Sequence, residues 1–311
     1  MTRFILKRLG ACAVTLVAIS FIIFSLVFMA PGDPARNLVG TKKATPELLA
    51  QIRAQYHLDA PFFSQYARWL GGALRLDFGQ SIRVGADVTT YVAPHAAVTF
   101  RLVGLSLLFS AGLGILLGVV SAQKKGSKAD GFINISALVG TSAPSFAVGL
   151  LALYLFAFLL GWFPMYGGAS IVHLILPALT LAFGTSAFII KITRQAMLGE
   201  IDADYTTFMR ARAVSPRIIT LSHLKNISSP ILTSTGLVLA GLFGGTILVE
   251  SVFSVPGLGS LLASAVTFRD VPVVQFIALV LAFFICLCSA LVDILVFWLN
   301  PATASTPEAP L

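Results

Sequence analysis

Ionisable side chains at the edges of long apolar runs have the clearest capacity for chemistry in this sequence. They are Glu250, Asp293 and the adjacent pair Arg269-Asp270. Charged groups in or near a membrane are costly, so those that occur there tend to be functional. Glu250 ends an apolar run, and we favour a side chain that reaches the polar interface over a role in a pathway. Acids at the middle of a run, which ion coupling favours, are absent.

Residue patterns for enzyme chemistry are also missing. The sequence contains no G-x-x-x-x-G-K-[ST], H-E-x-x-H or G-x-S-x-G, so it offers no phosphate-binding loop for ATP, no zinc helix and no nucleophile turn. The cysteines lie in apolar runs and suggest neither a disulfide framework nor a metal site. The histidines lack ligand spacing, and surface or packing roles are the better default. These histidines are His57, His95, His173 and His223.

The composition indicates that the apolar runs beside these residues are membrane-spanning helices. Of 311 residues, 57% are hydrophobic and 11% are charged, against about 25% charged in soluble domains. About 20 apolar residues cross the hydrocarbon core as a helix. The longest run crosses twice if residues 161–168, rich in Gly, Trp and Tyr, form a turn, which gives about six transmembrane helices. The runs without Asp, Glu, Lys or Arg are 9–32, 102–123, 131–190, 226–249 and 271–292.

The distribution of Lys and Arg predicts the orientation of these helices. Basic residues gather before the first run, at 124–128, and between 191 and 225, whereas the opposite short loops carry only Arg269. The positive-inside rule therefore places both termini in the cytoplasm and the segment 31–97 outside. The net charge of +8 follows from this topology, because no basic stripe with interleaved aromatic residues indicates nucleic-acid binding.

Short helices are predicted in the external segment 31–97. Thr45-Pro46-Glu47 is typical of a helix start, and Tyr66, Trp69, Leu70 and Leu74 follow helical spacing. These helices could pack on the membrane surface, on the mouth of the helix bundle, or around a small core of their own.

Small residues and one proline mark the membrane helices. Glycines four apart, such as Gly114 and Gly118, favour close helix packing, and we prefer that interpretation for the glycines of the run 226–249 as well. Pro144 should kink the third transmembrane helix, with Ser142 and Ser145 available to satisfy the freed carbonyl.

The segment 196–229 is the most informative part of the chain. It is polar and charged, and its middle predicts a short helix that ends at Ser215-Pro216, followed by a second helix from Arg217. A compact helix below a membrane bundle suits a lever for a soluble partner. Amphipathic helices lying on the lipid surface are an equally good interpretation from physics alone.

Several motifs in order resemble the permeases of binding-protein-dependent ABC importers of the peptide and nickel branch. Residues 205–215 are similar to the family's coupling loop, Tyr-x-x-x-Ala-Arg-Ala-Lys-Gly-Leu-Ser, although Met209 replaces an alanine and Ala213 replaces the glycine. Alanine would hold this turn less easily if its φ is positive. The matching stretches elsewhere are 3–10, 30–34, 61–79, 144–146 and 249–259.

The resemblance implies an all-α integral membrane protein with the type I ABC importer permease fold, in a prokaryotic plasma membrane. It implies residues 1–30 as the N-terminus and first helix, 31–97 as the external segment, 98–299 as the permease domain with its coupling loop at 196–229, and 300–311 as a cytoplasmic tail. The implied partners are a second related permease, two ATPase subunits that bind ATP and Mg²⁺, and an external solute-binding protein.

Two groups of candidate site residues follow from this reasoning. An ion-coupled secondary transporter remains the alternative function, and the substrate stays open among dipeptides, longer peptides, nickel chelates and glutathione-like molecules. The coupling-loop candidates are Tyr205, Met209, Arg210, Ala211, Arg212, Ala213, Ser215 and Pro216. The pathway or gating candidates are Ser142, Pro144, Ser145 and Glu250.

Overall fold

The secondary structure is helical almost throughout the part of the chain that a computed structural model describes, residues 2–29, 34–39, 45–55, 58–168 and 170–299. In addition to the helices, Gln80 and Asp87 form one isolated antiparallel β-bridge. The helices in chain order are α1 (Thr2–Met29), α2 (Pro34–Val39), α3 (Pro46–Gln55), α4 (Phe62–Ala73), α5 (Val88–Gln123), α6 (Lys128–Ser142), α7 (Ser145–Ala152, continued as a π-helix over Leu153–Leu159), α8 (Ile171–Ile201), α9 (Asp204–Ala211), α10 (Pro216–Asn226), α11 (Ser228–Val252), α12 (Leu258–Thr267) and α13 (Val271–Leu299).

Five helices are long and apolar enough to cross a membrane, namely α1, α5, α8, α11 and α13, and the bent pair α6 and α7 makes a sixth span if the two count as one. The prediction of about six transmembrane helices is therefore confirmed. Helix α5 begins at Val88, so its first ten residues fall within the range that the sequence assigned to the external segment. The tail 300–311 and the turn 30–33 lie outside the described residues.

The third span is broken rather than kinked. Helices α6 and α7 meet at an angle of 109°, because Ala143 and Pro144 both adopt extended backbone with ψ of 130° and 131°. Proline disfavours helical backbone at the residue before it and lacks the N–H that would continue the ladder. The prediction of a kink at Pro144 thus underestimated the change in helix direction. The predicted turn at 161–168 is confirmed, with Gly161 and Gly167 at positive φ.

The chain divides into two compact units, of which the first comprises residues 1–100 and 254–287. In it, α4 packs on α1 through aromatic rings, with Phe24 5.6 Å from Tyr66 and 5.4 Å from Trp69 between ring centres. The hydroxyls of Ser20 and Tyr66 lie 2.7 Å apart. Of the arrangements left open for the external helices, α4 therefore packs against the membrane helix α1.

A buried acid holds the turn that precedes α5. The Asp270 carboxylate accepts hydrogen bonds from the Ser81 hydroxyl and from the backbone N–H groups of Ile82 and Arg83. Asp270 is almost fully buried, and its role is to fasten the 80–87 turn. Below this turn, the starts of α5 and α13 pack with α12 around a core that includes Val88, Val92, Leu258, Val273 and Ile277.

The second unit, residues 101–253 and 288–311, is built on close helix packing around α8. A Cβ on Gly114 would lie 2.6 Å from Ile189, and one on Gly118 would lie 2.6 Å from Thr193, so the packing interpretation of these glycines is confirmed. Helix α6 packs on the same helix through Ile133, Ala137, Ala187 and Ile190. Such close approach is how small residues stabilise helix pairs in a membrane.

The glycines of α11 do not all share that role. Gly236 touches Val292, and an added Cβ would lie 2.6 Å from its side chain, whereas Gly241 and Gly244 have no neighbour within 4 Å of that position. Our packing prediction is therefore confirmed for Gly236, whereas Gly241 and Gly244 have open space at this position within the described part of the chain.

Candidate functional site

The segment between α8 and α11 forms two short helices, as the sequence predicted. Asp204 begins α9 and Arg210 lies in its last turn, so the charges match the partial positive and negative ends of the helix. Pro216 occupies the first turn of α10, where its missing N–H costs nothing. Helix α8 itself continues to Ile201, so the first residues of the predicted cytoplasmic segment belong to that helix.

Ala213 lies at the turn between α9 and α10 with φ of 54°. Its N–H donates to the carbonyl of Arg210 at 2.9 Å, and the N–H of Val214 donates to the carbonyl of Met209 at 3.1 Å. These two bonds form a Schellman motif, in which the residue after the helix cap takes left-handed backbone and is usually glycine. The sequence raised the question of positive φ at this alanine, and the structure answers that φ is positive.

Glu200 connects the helix ends of this segment. Its carboxylate accepts a hydrogen bond from Asn226 Nδ2 at 2.7 Å and another from the Tyr205 hydroxyl. Its backbone carbonyl accepts from Thr206 Oγ1 at 2.7 Å. The end of α8 is thereby joined to the start of α9 and to the end of α10. Burial raises the pKa of Tyr205, and the Glu200 hydrogen bond adds to the increase, so Tyr205 stays a neutral donor.

His223 completes the inner face of the segment. It is buried, and its Nε2 lies 2.8 Å from Thr206 Oγ1. Because the Thr206 hydroxyl donates its hydrogen to Glu200, it accepts from a proton on Nε2, which selects that tautomer. Burial lowers the pKa of His223, Glu200 acts in the opposite direction, and Arg210 lowers it further. A neutral histidine is the species that this buried position favours.

The outer face of the same helices is apolar and basic. Phe208 is 62% exposed, and the Arg212 guanidinium lies 5.6 Å from the centre of its ring. On α10, Ile218 is 54% and Leu221 65% exposed. Arg210 is exposed as well. We call the helices α9 and α10 with their connecting turn, residues 204–226, the coupling segment.

The coupling-loop candidates divide between the inner and outer faces of the coupling segment. Tyr205 belongs to the inner network, Met209 is half-buried, and the others are exposed, namely Arg210, Ala211, Arg212, Ala213, Ser215 and Pro216. Sequence reasoning missed Glu200, Thr206 and Asn226, and it treated His223 as a scattered histidine. The available signal was a polar residue at each helix end, but nothing in the spacing shows that three ends meet.

The pathway candidates lie elsewhere in the second unit. Ser142 ends α6, Pro144 lies in the break, and Ser145 begins α7. Ser145 lines a groove of about 450 Å³ together with Thr141, Thr185 and Gly241. Glu250 is fully buried, so the expectation that it reaches the interface is wrong, and it is not among the residues that line this groove.

Comparison with known families identifies the chain. Residues 114–305 match the family described as "Binding-protein-dependent transport system inner membrane component", and residues 1–87 match the N-terminal part of the membrane component of such systems. The chain belongs to this family. It is thus a membrane-spanning permease of an ABC importer, and the ion-coupled alternative gains no support.

Full-length relatives agree with this assignment. The probable peptide ABC transporter permease protein y4tP of Sinorhizobium fredii is 34% identical over 310 residues, which cover 97% of this chain and 99% of that protein. The glutathione transport system permease protein GsiC of Escherichia coli is 35% identical over 303 residues, with the same two coverages.

A solved structure shares the fold of this permease. The MetNI methionine ABC transporter, in an inward-facing conformation, contains a chain that matches 67% of this permease with a TM-score of 0.54. The matched region covers 95% of that chain at 18% identity. At this identity the likeness shows the ABC importer permease fold and nothing about the substrate.

Proposed function

We propose that this permease forms half of a translocation pathway and receives force from ATPase subunits through the coupling segment. The observation that carries the proposal is the two-sided construction of α9 and α10. Glu200, Thr206 and His223 fix the inner face by hydrogen bonds, while Phe208 and Arg212 are exposed on the outer face. A helix held in this way transmits a push as a rigid element instead of absorbing it.

The proposed partner at this surface is an ATPase subunit with an apolar recess bordered by carboxylates. Phe208 would enter the recess, because aromatic residues dominate the centre of protein interfaces. Arg210 and Arg212 would pair with the acidic border, since guanidinium groups bind carboxylates with directional hydrogen bonds. ATP and Mg²⁺ would be bound by the ATPase subunits. A second related permease and an external solute-binding protein would complete the importer.

The transported solute is proposed to be a short peptide or a peptide-like molecule such as glutathione. The support is that the relatives over nearly the full length are named for peptide and glutathione transport. In this design the external binding protein makes most of the selection among such peptides.

The groove beside the chain break is proposed to border the solute path. Backbone that is not helical is tolerated at membrane depth where protein buries it or where it lines an aqueous cavity. Ser145 and Thr141 flank the break and line the groove, and Gly241 leaves it open on the side of α11. Ser142 and Pro144 would support the break itself.

Charge reversal on the coupling segment tests the function. Replacing both Arg210 and Arg212 by Glu should abolish ATP-dependent uptake and the recovery of ATPase subunits with the tagged permease, while the amount inserted in the membrane stays unchanged. A matched control replaces Lys125 and Lys128 by Glu, which changes the charge equally in another basic stretch. Normal uptake by the Arg210→Glu, Arg212→Glu variant would refute the assignment.

A further inference from the structure

Asp130 lies at the centre of a dense polar cluster that includes Arg194 of α8. Its buried carboxylate accepts hydrogen bonds from Arg194 Nε at 2.9 Å and Arg194 Nη2 at 3.0 Å, so the ion pair is bidentate. It also accepts from Ser121 Oγ at 2.6 Å, from the backbone N–H of Gly126 at 2.9 Å and from Asn134 Nδ2 at 2.7 Å. We call Asp130 and Arg194 with these donors the Asp130 clasp.

The Asp130 clasp links helices that have different tasks. Arg194 lies on α8 six residues before Glu200, which is about 9 Å along the helix axis. Helix α8 therefore carries both Arg194 and the residue to which the coupling segment is hydrogen-bonded. Asp130 lies in the first turn of α6. The other end of α6 is Ser142, at the chain break that flanks the proposed solute path. The clasp therefore lies between the coupling segment, on which the ATPase subunits are proposed to act, and the chain break that flanks the proposed solute path.

Apolar packing brings α6 close to α8, and a Cβ added to Gly140 would lie 2.8 Å from the carbonyl oxygen of Phe183, but such contacts carry little direction. Ile133 and Ala137 contact α8 through nondirectional apolar surfaces, and packed helices of this kind can slide past one another by small shear movements. A bidentate ion pair, in contrast, is satisfied in one geometry. A largely buried ion pair often stabilises a protein no more than apolar residues of the same size would, and setting register is its best-attested other contribution.

We propose that Asp130 and Arg194 are positioning residues that lock α6 and α8 in one axial register. The chain break then follows the coupling segment when the ATPase subunits move it. The proposal rests on the proposed function of the coupling segment. The exposed ion pair of Lys125 and Asp202, at 3.9 Å with both side chains mostly exposed, lies near the same helix ends and has no such role, because exposed pairs contribute little.

Distance measurements between spin labels test the Asp130 clasp in the complete transporter. One label is placed at Thr207→Cys on α9 and the other at Ser142→Cys at the end of α6, with Cys12, Cys286 and Cys288 replaced by Ala. The complex is purified with its partner subunits and measured without nucleotide and with ATP, Mg²⁺ and vanadate. We expect one narrow distance, the same in both states.

Arg194→Lys keeps the charge but loses the bidentate geometry, and Asp130→Asn keeps the side-chain shape but loses the charge. Both should give distances that broaden or differ between the nucleotide states, whereas Lys125→Ala should behave as the parent protein. Variant distances identical to those of the parent would overturn the proposal, as would a parent distance that itself changes between states. If Asp130→Asn does not fold, Arg194→Lys decides. Failure of the parent to bind ATPase subunits would instead refute the proposed function.

Discussion

One residue of the coupling segment, Ala213, has a strained backbone conformation. Ala213 occupies the left-handed position of a Schellman motif, where helix ends usually carry glycine. The Cβ of an L-residue is crowded against its own backbone in this conformation, at a cost of roughly 1 to 2 kcal/mol. The protein therefore keeps its turn at the expense of some stability.

Ala213→Gly should accordingly stabilise the permease. We expect the free energy of unfolding to rise by about 0.5 to 1 kcal/mol, because glycine relieves the strain but also has more freedom in the unfolded chain. Thermal unfolding of the purified permease in detergent measures the effect. Ala211→Gly, at the last residue of α9 and without positive φ, is the control and should not stabilise the permease, because there is no left-handed strain to relieve there. A lower unfolding temperature for Ala213→Gly would contradict the argument.

At the scale of elements, glycines with identical sequence signals have different structural roles. Gly236 and Gly241 both lie on α11, and both belong to the set of small residues from which we predicted close packing. Only Gly236 meets a neighbour, Val292, and Gly241 opens on the groove. Helix α11 thus packs closely at Gly236 and leaves space at Gly241.

Substitution by alanine separates these roles. Gly236→Ala should destabilise the permease by about 1 to 3 kcal/mol through overpacking, since its Cβ would lie 2.6 Å from Val292. Gly241→Ala should be neutral or stabilise by up to about 1 kcal/mol, because alanine has the higher helix propensity. The same thermal unfolding assay compares the two variants. Equal destabilisation by both would show that Gly241 is packed after all.

For the whole molecule, the order of spans and the distribution of Lys and Arg predict which loops face the cytoplasm. The turn between α7 and α8 should be external, and the turn between α5 and α6 should be cytoplasmic. In a protein without its native cysteines, Trp162→Cys should react with an impermeant maleimide added to intact cells, whereas Lys125→Cys should react only after the membrane is opened. The reverse pattern would invert the proposed orientation of both termini.

The sequence by itself determined the class of protein and the place of the coupling segment. Long uncharged runs specify membrane helices because burying a charge in lipid is costly. Ser215-Pro216 was predicted to separate two short helices, and the structure places the end of the first at Ala211 and the start of the second at Pro216, because proline is favoured in the first turn of a helix. These signals are local, because each lies within one continuous stretch of sequence. The same holds for the turn at 161–168, which the structure confirms.

Only the tertiary structure decided which distant residues meet. Glu200 and Asn226 are 26 positions apart, and Asp130 and Arg194 are 64 apart, so no helical spacing relates them. The burial of Glu250 and the open space at Gly241 likewise depend on what packs across from α11. Helix periodicity fixes the face on which a side chain lies, but the neighbour of that face is chosen by the packing of the whole bundle.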